Sequence, residues 1–333
     1  PLVGYVPWEA RTNLCLQSQT FDSWTDSGAS VTANPTVAPD GTTTADTITR
    51  VAGQGDSRYV GITFTASAVH TASFWVKKGT SPSSLVAVFD VTAAAYRLWV
   101  DVTWSGTTPI FAFVSGSLVR SVEYPNGLWR VEFLTEAVIS ANTHRVYVYP
   151  GRAGSSNGET VIAWGAQIEL GSFATPYIPT TTVAVARNAD LLTYTGADVA
   201  NIKTLACTFS RGEGIASIGA ILAADNGTSP TRSFSYLNNA TQHRFDGLVG
   251  GAVQWDIVTS NPYTPGATSK IAWSAATNDI KMDKDGVAQT ADTTATVPAV
   301  TQLNVGHIAT LLVLNGPVNH IYGWTRNLSQ SEL

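Results

Sequence analysis

Apolar and polar residues alternate with a period of two along much of this chain. The clearest run is Ile162-Ala-Trp-Gly-Ala-Gln-Ile-Glu-Leu170, in which apolar side chains recur at every second position from Ile162. A period of two sends successive side chains to opposite faces of a β-strand, so the run predicts a strand with one buried and one more open face. Gly171-Ser172 ends the strand, and Pro176 and Pro179 then stiffen a Thr-rich segment. We interpret the whole stretch as the last strand of one β-domain and the start of a linker.

Short runs of the same kind occur on both sides of that stretch, at spacings of roughly 8–15 residues, with Gly, Pro, Ser and Asn between them. Before it, strands are predicted at 13–18, 45–50, 59–64, 71–78, 85–91, 96–104, 110–114, 128–135 and 145–149. After it, strands are predicted at 191–194, 205–210, 216–223, 233–237, 243–248, 253–258, 269–274, 279–283, 303–306 and 320–324. No segment shows a sustained helical stripe. The pattern predicts an all-β protein made of two antiparallel β-sandwiches (jelly rolls).

The predicted division of the chain follows from these runs. Residues 1–12 form a lead-in, 13–175 the first sandwich, 176–187 a Pro/Thr-rich linker and 188–333 the second sandwich. Asp285-Gly286 predicts a tight hairpin turn, because these residue types accept the positive φ values that it needs. Ser329, with Glu332 three residues later, predicts a capped helical start.

Composition supports the all-β interpretation and excludes some functions. Charged residues make up 13% of the 333 residues and apolar residues 44%, and the net charge is −5. Because no basic cluster exceeds Lys77-Lys78, we expect no nucleic-acid partner. No apolar run reaches the roughly 18–20 residues that span a bilayer, so no membrane insertion is expected. Cys15 and Cys207 lie in different predicted domains and are expected to be free, buried thiols.

The first domain carries motifs that resemble a family. These are Ala10-Arg-Thr-Asn-Leu-Cys-Leu-Gln-Ser-Gln-Thr-Phe21, Ala38-Pro-Asp-Gly-Thr-Thr-Thr-Ala-Asp-Thr-Ile48, Ser73-Phe-Trp-Val-Lys-Lys-Gly-Thr80, Gly127-Leu-Trp-Arg-Val131 and Trp164-Gly-Ala-Gln-Ile-Glu-Leu-Gly-Ser-Phe-Ala-Thr-Pro-Tyr-Ile-Pro-Thr180. Together they resemble a domain common in structural proteins of tailed phages, which is similar to the jelly-roll carbohydrate-binding modules. The resemblance covers about residues 10–182, and Trp164–Glu169 is its most specific part.

The second domain resembles the concanavalin A-like, laminin G-like lectin sandwich. The hairpin at Lys281–Ala288 and the closing run Ile321-Tyr-Gly-Trp-Thr-Arg-Asn-Leu-Ser-Gln-Ser-Glu-Leu333 carry this resemblance. Together the two resemblances imply a bacteriophage virion protein: a tail fibre, spike or other tail component that serves host attachment.

Several predicted strands place aromatic and charged side chains on one face. Such a face suits sugars, because a flat ring stacks on the apolar side of a pyranose while polar groups meet its hydroxyls. The candidate glycan-binding residues are Trp75, Lys77, Arg97, Trp99, Asp101, Arg145, Tyr147, Tyr149, Tyr236, Arg244 and Trp255, with Arg232 and His243 as further polar candidates. The alternative is that these aromatics belong to the cores, which is the commonest fate of large side chains.

Calcium is a second possible ligand. Modules of the kind resembled often hold structural Ca²⁺ near their first and last strands, which implies Asn13, Gln167 and Glu169 as weak candidates. Only Glu169 among them is a carboxylate, whereas Ca²⁺ takes six to eight oxygen ligands. Asp279, Asp283, Asp285 and Asp292 lie in or near the predicted hairpin, and we interpret them as turn residues. No other cofactor is expected.

No catalytic signature is present in the sequence. Gly-x-Ser-x-Gly, His-Glu-x-x-His, the Walker loop and the dinucleotide fingerprint are all absent. We therefore expect no enzyme but a protein on the surface of the virion, outside cells. Its partners would be host polysaccharide and other virion proteins, and a homo-oligomer, with a trimer favoured, is expected. Two alternatives stay open: a structural or decoration protein that binds only neighbouring subunits, and a depolymerase that uses a distant carboxylate pair such as Asp101 and Glu132.

Overall fold

The computed structural model describes residues 5–51, 57–63, 68–137, 143–152, 155–196, 198–211, 218–228, 231–239, 241–308 and 312–333. Within these ranges the regular structure consists of antiparallel strands and two short 3-10 turns, Phe21–Ser23 and Val199–Asn201, with no α-helix. The all-β, two-sandwich prediction is confirmed. Because these ranges contain no α-helix, they also contain no helix that could cross a membrane.

Two compact units divide the chain. One, here the N-terminal sandwich, comprises Arg11–Arg187; the other, the C-terminal sandwich, comprises Asn188–Leu333 together with Pro1–Ala10. Tyr5 forms a bridge with Val318, and the Glu9 N–H donates to Asn315 Oδ1 (2.8 Å). The segment expected as a lead-in therefore contributes to the C-terminal sandwich.

The described residues of the N-terminal sandwich form fourteen strands: β1 (Arg11–Asn13), β2 (Thr25–Ser27), β3 (Ala29–Thr36), β4 (Ala45–Arg50), β5 (Ser57–Thr63), β6 (His70–Lys78), β7 (Ser83–Asp90), β8 (Ala95–Ser105), β9 (Thr108–Ser115), β10 (Ser117–Glu123), β11 (Trp129–Leu134), β12 (Thr143–Tyr149), β13 (Thr160–Leu170) and β14 (Val185–Arg187). One six-stranded sheet has the order β10-β11-β6-β13-β4-β3 and the other β2-β5-β12-β7-β8-β9, while β1 pairs with β14. Side chains such as Phe74, Val86, Val100, Phe133 and Ile168 fill the core between them.

In the C-terminal sandwich, the part of the chain that the structure describes forms eleven strands: β15 (Leu192–Tyr194), β16 (Thr204–Ser210), β17 (Gly219–Asp225), β18 (Arg232–Leu237), β19 (His243–Val249), β20 (Ala252–Val258), β21 (Thr268–Ala276), β22 (Asp279–Lys284), β23 (Val287–Ala288), β24 (Gln302–Val305) and β25 (Val318–Trp324). Its sheets have the orders β15-β24-β17-β18-β19-β20 and β23-β22-β21-β16-β25. The core contains Phe209, Phe245, Trp255 and Trp273.

Strand β13 departs from simple alternation. Its pairing with β6 shifts register between Trp164 and Gln167, and Gly165 has φ +63°. Such a bulge reverses which face later residues occupy. Ala163 before the bulge and Ile168 after it both reach the core, whereas Trp164 lies on the outer face. The expected placement of Trp164 and Ile168 on one face is therefore wrong.

The expected linker begins inside the N-terminal sandwich. Ile178 and Thr180 are buried, and the Thr180 N–H donates to Ser18 Oγ (2.8 Å). Farther on, Val185–Arg187 forms β14. The segment 176–187 is therefore anchored to the N-terminal sandwich at Ile178, at Thr180 and through β14, whereas Pro179, Thr181 and Thr182 between these anchors are exposed.

Three local predictions have clear outcomes. The Asp285-Gly286 hairpin is confirmed, because β22 pairs with β23 across two positive-φ residues. The expected capped helical start at Ser329 is wrong: the Ser329 N–H donates to Glu332 Oε2 (2.8 Å) as in a capping box, but the Ser329 hydroxyl also donates to that oxygen (2.8 Å), and the contacts close a turn. Both cysteines are free and buried, as expected.

Candidate functional site: an aromatic platform on the N-terminal sandwich

Four aromatic side chains meet on the outer face of the sheet that contains β5, β12, β7 and β8. We call Tyr59, Trp99, Tyr147 and Tyr149 the aromatic platform. Tyr147 lies opposite Tyr59 on one side and Ala87 on the other, and Ala87 lies opposite Trp99. The row forms because intervening residues such as Val86, Val146 and Val100 point into the core.

The ring geometry is compact. The centroids of Tyr59 and Tyr147 are 5.1 Å apart, and those of Tyr147 and Tyr149 are 5.5 Å apart with a 27° interplanar angle. Tyr96 meets Trp99 edge-on at 4.3 Å. Tyr147 is nearly buried at 9% exposure, while Tyr59, Trp99 and Tyr149 are half-buried. Flat apolar surface thus remains open beside tightly packed rings.

Charged groups are held over this surface. The guanidinium carbon of Arg145 lies 4.7 Å from the Tyr59 ring centroid, and that of Arg152 lies 4.7 Å from the Trp99 ring. Arg152 Nε also donates to Asp101 Oδ1 (2.5 Å), and Trp99 Nε1–H donates to Asp101 Oδ2 (3.3 Å). Two planar cations and one carboxylate therefore surround the platform and can hydrogen-bond a polyhydroxylated ligand.

The protonation states of Tyr149 and Arg145 are fixed near neutral pH. Burial, followed by the neighbouring Tyr96 and Tyr147, raises the pKa of Tyr149. A hydrogen bond to the Tyr147 hydroxyl raises the pKa of Arg145. Tyr149 therefore keeps its hydroxyl proton as a donor, and Arg145 keeps its charge.

The structure brings together five of the candidates predicted for this domain, namely Trp99, Asp101, Arg145, Tyr147 and Tyr149. Sequence reasoning missed Tyr59 and Arg152. Tyr59 lies in a correctly expected strand and its alternation could have identified it, whereas Arg152 follows the Pro150-Gly151 turn, where no periodicity applies.

Arg97 does not join Trp99 and Asp101 on the platform. The pairing of β7 with β8 shifts register so that Val88 faces Leu98 and Phe89 faces Tyr96, which makes Arg97 the extra residue. Its side chain is buried and donates to the buried Asp90 carboxylate (3.0 Å). Asp90 also lies 3.6 Å from His144 Nε2. The expected common face is wrong because the bulge changes the alternation.

Trp75 and Lys77 lie on the other sheet, whose outer face is covered by the chain itself. Trp75 is 3% exposed, with its ring 5.0 Å from Trp164 and 5.3 Å from Tyr177. Lys77 Nζ donates to the Asn126 carbonyl (2.9 Å). The alternation correctly sent Trp75 away from the main core, but a second small core covers it.

The C-terminal candidates do not form one site. Trp255 is 2% exposed in the main core, and Tyr236 stacks on Phe234 at 4.3 Å. His243 is fully buried beside Ser235 Oγ (2.8 Å). Arg244 is half-buried, donates through Nε and Nη2 to the two carboxylate oxygens of Asp256, and lies opposite Tyr236. Arg232 lies opposite Leu248, with Nε 3.8 Å from Asp246.

The carboxylate pair named as a catalytic possibility is not assembled. Asp101 lies on the platform sheet, whereas Glu132 lies in β11 of the other sheet, paired with Arg120 and Arg130. Asp246 and Asp256 do lie opposite one another on β19 and β20. Burial raises the pKa of Asp246 to about 6, against the opposing effect of Arg232.

The residues implied as calcium ligands are hydrogen-bonded to one another and to the chain. Asn13 Oδ1 accepts from the N–H groups of Cys15 and Ile168, and its amide donates to Ile178 and Ala166 carbonyls. This set does not fit Ca²⁺, because N–H donors already occupy the Asn13 oxygen.

The same holds for the other two residues. Gln167 Nε2 donates to Glu169 Oε2 (2.7 Å), and Gln167 Oε1 accepts from the Ile178 N–H. Thr175 donates to both Glu169 oxygens, at 2.5 and 2.9 Å. These side chains join β13 to residues 175–178, and within the described ranges no cluster of three or more His, Cys, Asp or Glu residues is arranged to hold a metal.

Comparisons with known proteins give only remote likenesses. The chain is similar to a solved structure of the Ruminococcus gnavus IT-sialidase CBM40 bound to α2,3 sialyllactose, at 15% identity and a TM-score of 0.36, over 41% of this chain and 84% of that one. It is also similar to mouse laminin α1 domains LG4-5, at 10% identity and a TM-score of 0.30, over 90% and 93%. The LG1-3 region of the laminin α2 chain matches at 13% identity and a TM-score of 0.33, over 81% and 64%. No family model and no curated protein matches the chain.

Proposed function

We propose that this chain is a carbohydrate-binding protein that holds an oligosaccharide on the aromatic platform without cleaving it. The observation that carries the proposal is the row of Tyr59, Tyr147 and Trp99, with Arg145, Arg152 and Asp101 around it. The partly exposed rings of Tyr59, Trp99 and Tyr149 supply stacking surface, and the charged groups supply directional hydrogen bonds.

The charge of the platform narrows the ligand class. Arg145 and Arg152 outnumber Asp101, and each guanidinium presents a planar fork of donors. We expect hydroxyl-rich saccharides, including those with carboxylate groups, to bind better than phosphorylated polymers that demand a dense basic patch.

The proposal also includes where the protein acts. The resemblance of the first-domain motifs to tailed-phage structural proteins supports placing the chain on a virion surface, as a fibre, spike or tail component that contacts host glycans. Many copies on one particle would convert weak saccharide contacts into adhesion through avidity.

A glycan array and a host-cell adsorption assay with the multivalent full chain test the proposal. We expect selective retention that Trp99→Ala greatly reduces, with Val253→Asp as the matched control, because Val253 is 65% exposed and lies in β20 of the C-terminal sandwich, which contributes no platform residue. Equal retention by wild type and Trp99→Ala, or no retention by either, would contradict it. Release of reducing ends that is lost in Asp246→Asn would instead indicate hydrolysis.

A second function has a specific observation in its favour. Edge strands β9 and β10 expose Ile110, Val114, Leu118 and Val122, at 38–76% of their surface. An exposed apolar strip on edge strands is a typical protein contact surface. If the chain is a structural or decoration protein, Val114→Asp should prevent assembly with neighbouring virion subunits while Trp99→Ala should not.

A further inference from the structure

The five-stranded sheet of the C-terminal sandwich carries a groove on its outer face. A single row crosses four strands, from Tyr322 in β25 to Ala206 in β16, Ala272 in β21 and Asp283 in β22. At about 4.8 Å per strand, the row is about 14 Å long. The groove has a volume of about 760 Å³, within the range of roughly 300–1,000 Å³ typical of small-ligand sites.

Side-chain size creates the groove. Ala206 and Ala272 form its floor, while the neighbouring positions Leu205, Cys207, Ile271 and Trp273 point into the core. A larger residue at either alanine would fill the space. The floor strands β16 and β21 are each paired on both sides, so their backbone groups are already hydrogen-bonded. An extended peptide therefore cannot bind to this floor by adding a strand.

The walls are fixed by the chain. Beyond Asp283, the Gly286 N–H donates to Asp283 Oδ1 (2.8 Å), and the Lys270 N–H donates to Asp285 Oδ1 (2.6 Å). At another side, the Leu328 N–H contacts Ser274 Oγ (3.1 Å), and Gln330 Nε2 donates to the Met282 carbonyl (3.2 Å). These contacts hold the groove open in a defined shape.

An exposed aromatic pair stands at the β25 side. Tyr322 is 55% exposed, and its ring lies 6.1 Å from that of Trp324 with a 30° interplanar angle. Lys270, Asp283 and Thr208 line the groove opposite and below it. The lining residues include the Lys270 cation and the two carboxylates of Asp283 and Asp285, so the groove disfavours an anionic ligand. It offers a flat ring, a shallow apolar floor and donors and acceptors of both kinds.

We infer that this groove is a second saccharide-binding site, which takes a short neutral oligosaccharide laid across the strands with one sugar ring against Tyr322. The inference deepens the proposed function, but the site shares no residue with the aromatic platform. Binding at one site can therefore be lost by mutation while binding at the other is kept.

The test uses the full chain in four forms: wild type, Trp99→Ala, Ala272→Leu and the double variant. Maltohexaose, cellohexaose, laminarihexaose and mannohexaose serve as probes in saturation-transfer NMR and calorimetry. We expect Trp99→Ala to retain binding of at least one neutral probe, and Ala272→Leu to abolish that residual binding, because Leu fills the floor. Tyr322→Ala should weaken it at least tenfold and Tyr322→Phe should largely restore it.

Two results would overturn the inference. One is that Trp99→Ala binds none of the four probes. The other is residual binding that is unchanged in both Ala272→Leu and Tyr322→Ala, which are changes at groove-lining positions outside the main core cluster. Failure of the proposed function gives a different result. In that case Trp99→Ala leaves retention on the glycan array unchanged, and this outcome does not depend on how the groove variants behave.

Discussion

The two outer faces of the N-terminal sandwich carry similar residues but different surroundings. Trp75 on one sheet and Trp99 on the other are both placed outward by the same alternation, each with an arginine over its ring at 4.8 and 4.7 Å. Trp75 is covered by Trp164, Leu128 and Tyr177, whereas Trp99 remains half-exposed. An outward aromatic residue is therefore a binding candidate only where no other part of the chain covers it.

The covered face is held by a buried polar network as well as by rings. Arg130, which lies over Trp75, donates to the Thr175 carbonyl (2.5 Å), and Thr175 in turn donates to Glu169. Buried polar groups of this kind are costly to leave without partners, so the network fixes the segment after β13 in one position. On the platform face the arginines contact solvent and can exchange partners.

The largest expected effect is a difference in stability between the variants Trp75→Ala and Trp99→Ala. Trp75→Ala should destabilise the N-terminal sandwich by about 3–5 kcal/mol, because it leaves a cavity among Trp164, Tyr124 and Tyr177. Hydrogen exchange in β6 and β13 during urea titration of the full chain measures this change. Trp99→Ala should lower the free energy of unfolding by only about 1–2 kcal/mol in the same measurement, because Trp99 is already half-exposed. Equal losses for the two variants would refute the distinction between the covered and the open face.

The next effect tests the buried histidines between the two sheets. Burial, with a smaller contribution from His144, lowers the pKa of His70 to about 4, and Asp90 and Arg97 complete the group. The folded pKa lies below the unfolded value of about 6.5, so the unfolded chain binds more protons between these values. The contribution of His70 to the free energy of unfolding is therefore fully present above pH 6.5. It falls as the pH approaches 4, by up to about 3 kcal/mol.

Replacing His70 separates this contribution from that of His243, whose pKa is lowered to about 3 by burial in the C-terminal sandwich. His70→Gln should flatten the acid dependence of exchange in β6 and leave that in β19 unchanged. An unchanged slope in β6 would show that His70 does not titrate on unfolding.

The third prediction concerns affinity. Tyr149→Ala should weaken saccharide binding at the platform by about 2 kcal/mol, which is a roughly 30-fold rise in Kd. Tyr149→Phe keeps the ring and should lose less, because only the hydroxyl donor is removed. Calorimetry on the full chain with the glycan selected on the array measures the Kd of both variants. Identical losses of affinity would mean that the hydroxyl, and not the ring, makes the whole contribution.

The smallest effect comes from Arg152. Arg152→Lys keeps the charge near Asp101 but removes the planar group over Trp99, so affinity should fall about threefold to tenfold. Stability should change by less than about 1 kcal/mol, since both partners are more than a quarter exposed. A stability loss comparable to that of Trp75→Ala would mean that Arg152 supports the fold and not the site.

Much of the fold was predictable because it depends on local pattern. Alternation located most strands, and the Asp285-Gly286 turn followed from the positive φ values that these residues accept. The candidate site was predictable in part, since Trp99, Tyr147 and Tyr149 follow the same alternation. Arg97 was misplaced because a bulge depends on how two strands pair, and no single strand encodes that pairing.

The sequence by itself determined the β class, the positions of the strands and the set of aromatic residues that point away from the main cores. Only the tertiary structure decided which of those residues stay accessible. Residues 164–178 cover Trp75, residues 145–152 complete the platform around Trp99, and the alanines at 206 and 272 become one groove floor. The physical reason is that burial and concavity arise between segments distant in sequence, whereas alternation records only the side of the strand on which each residue lies.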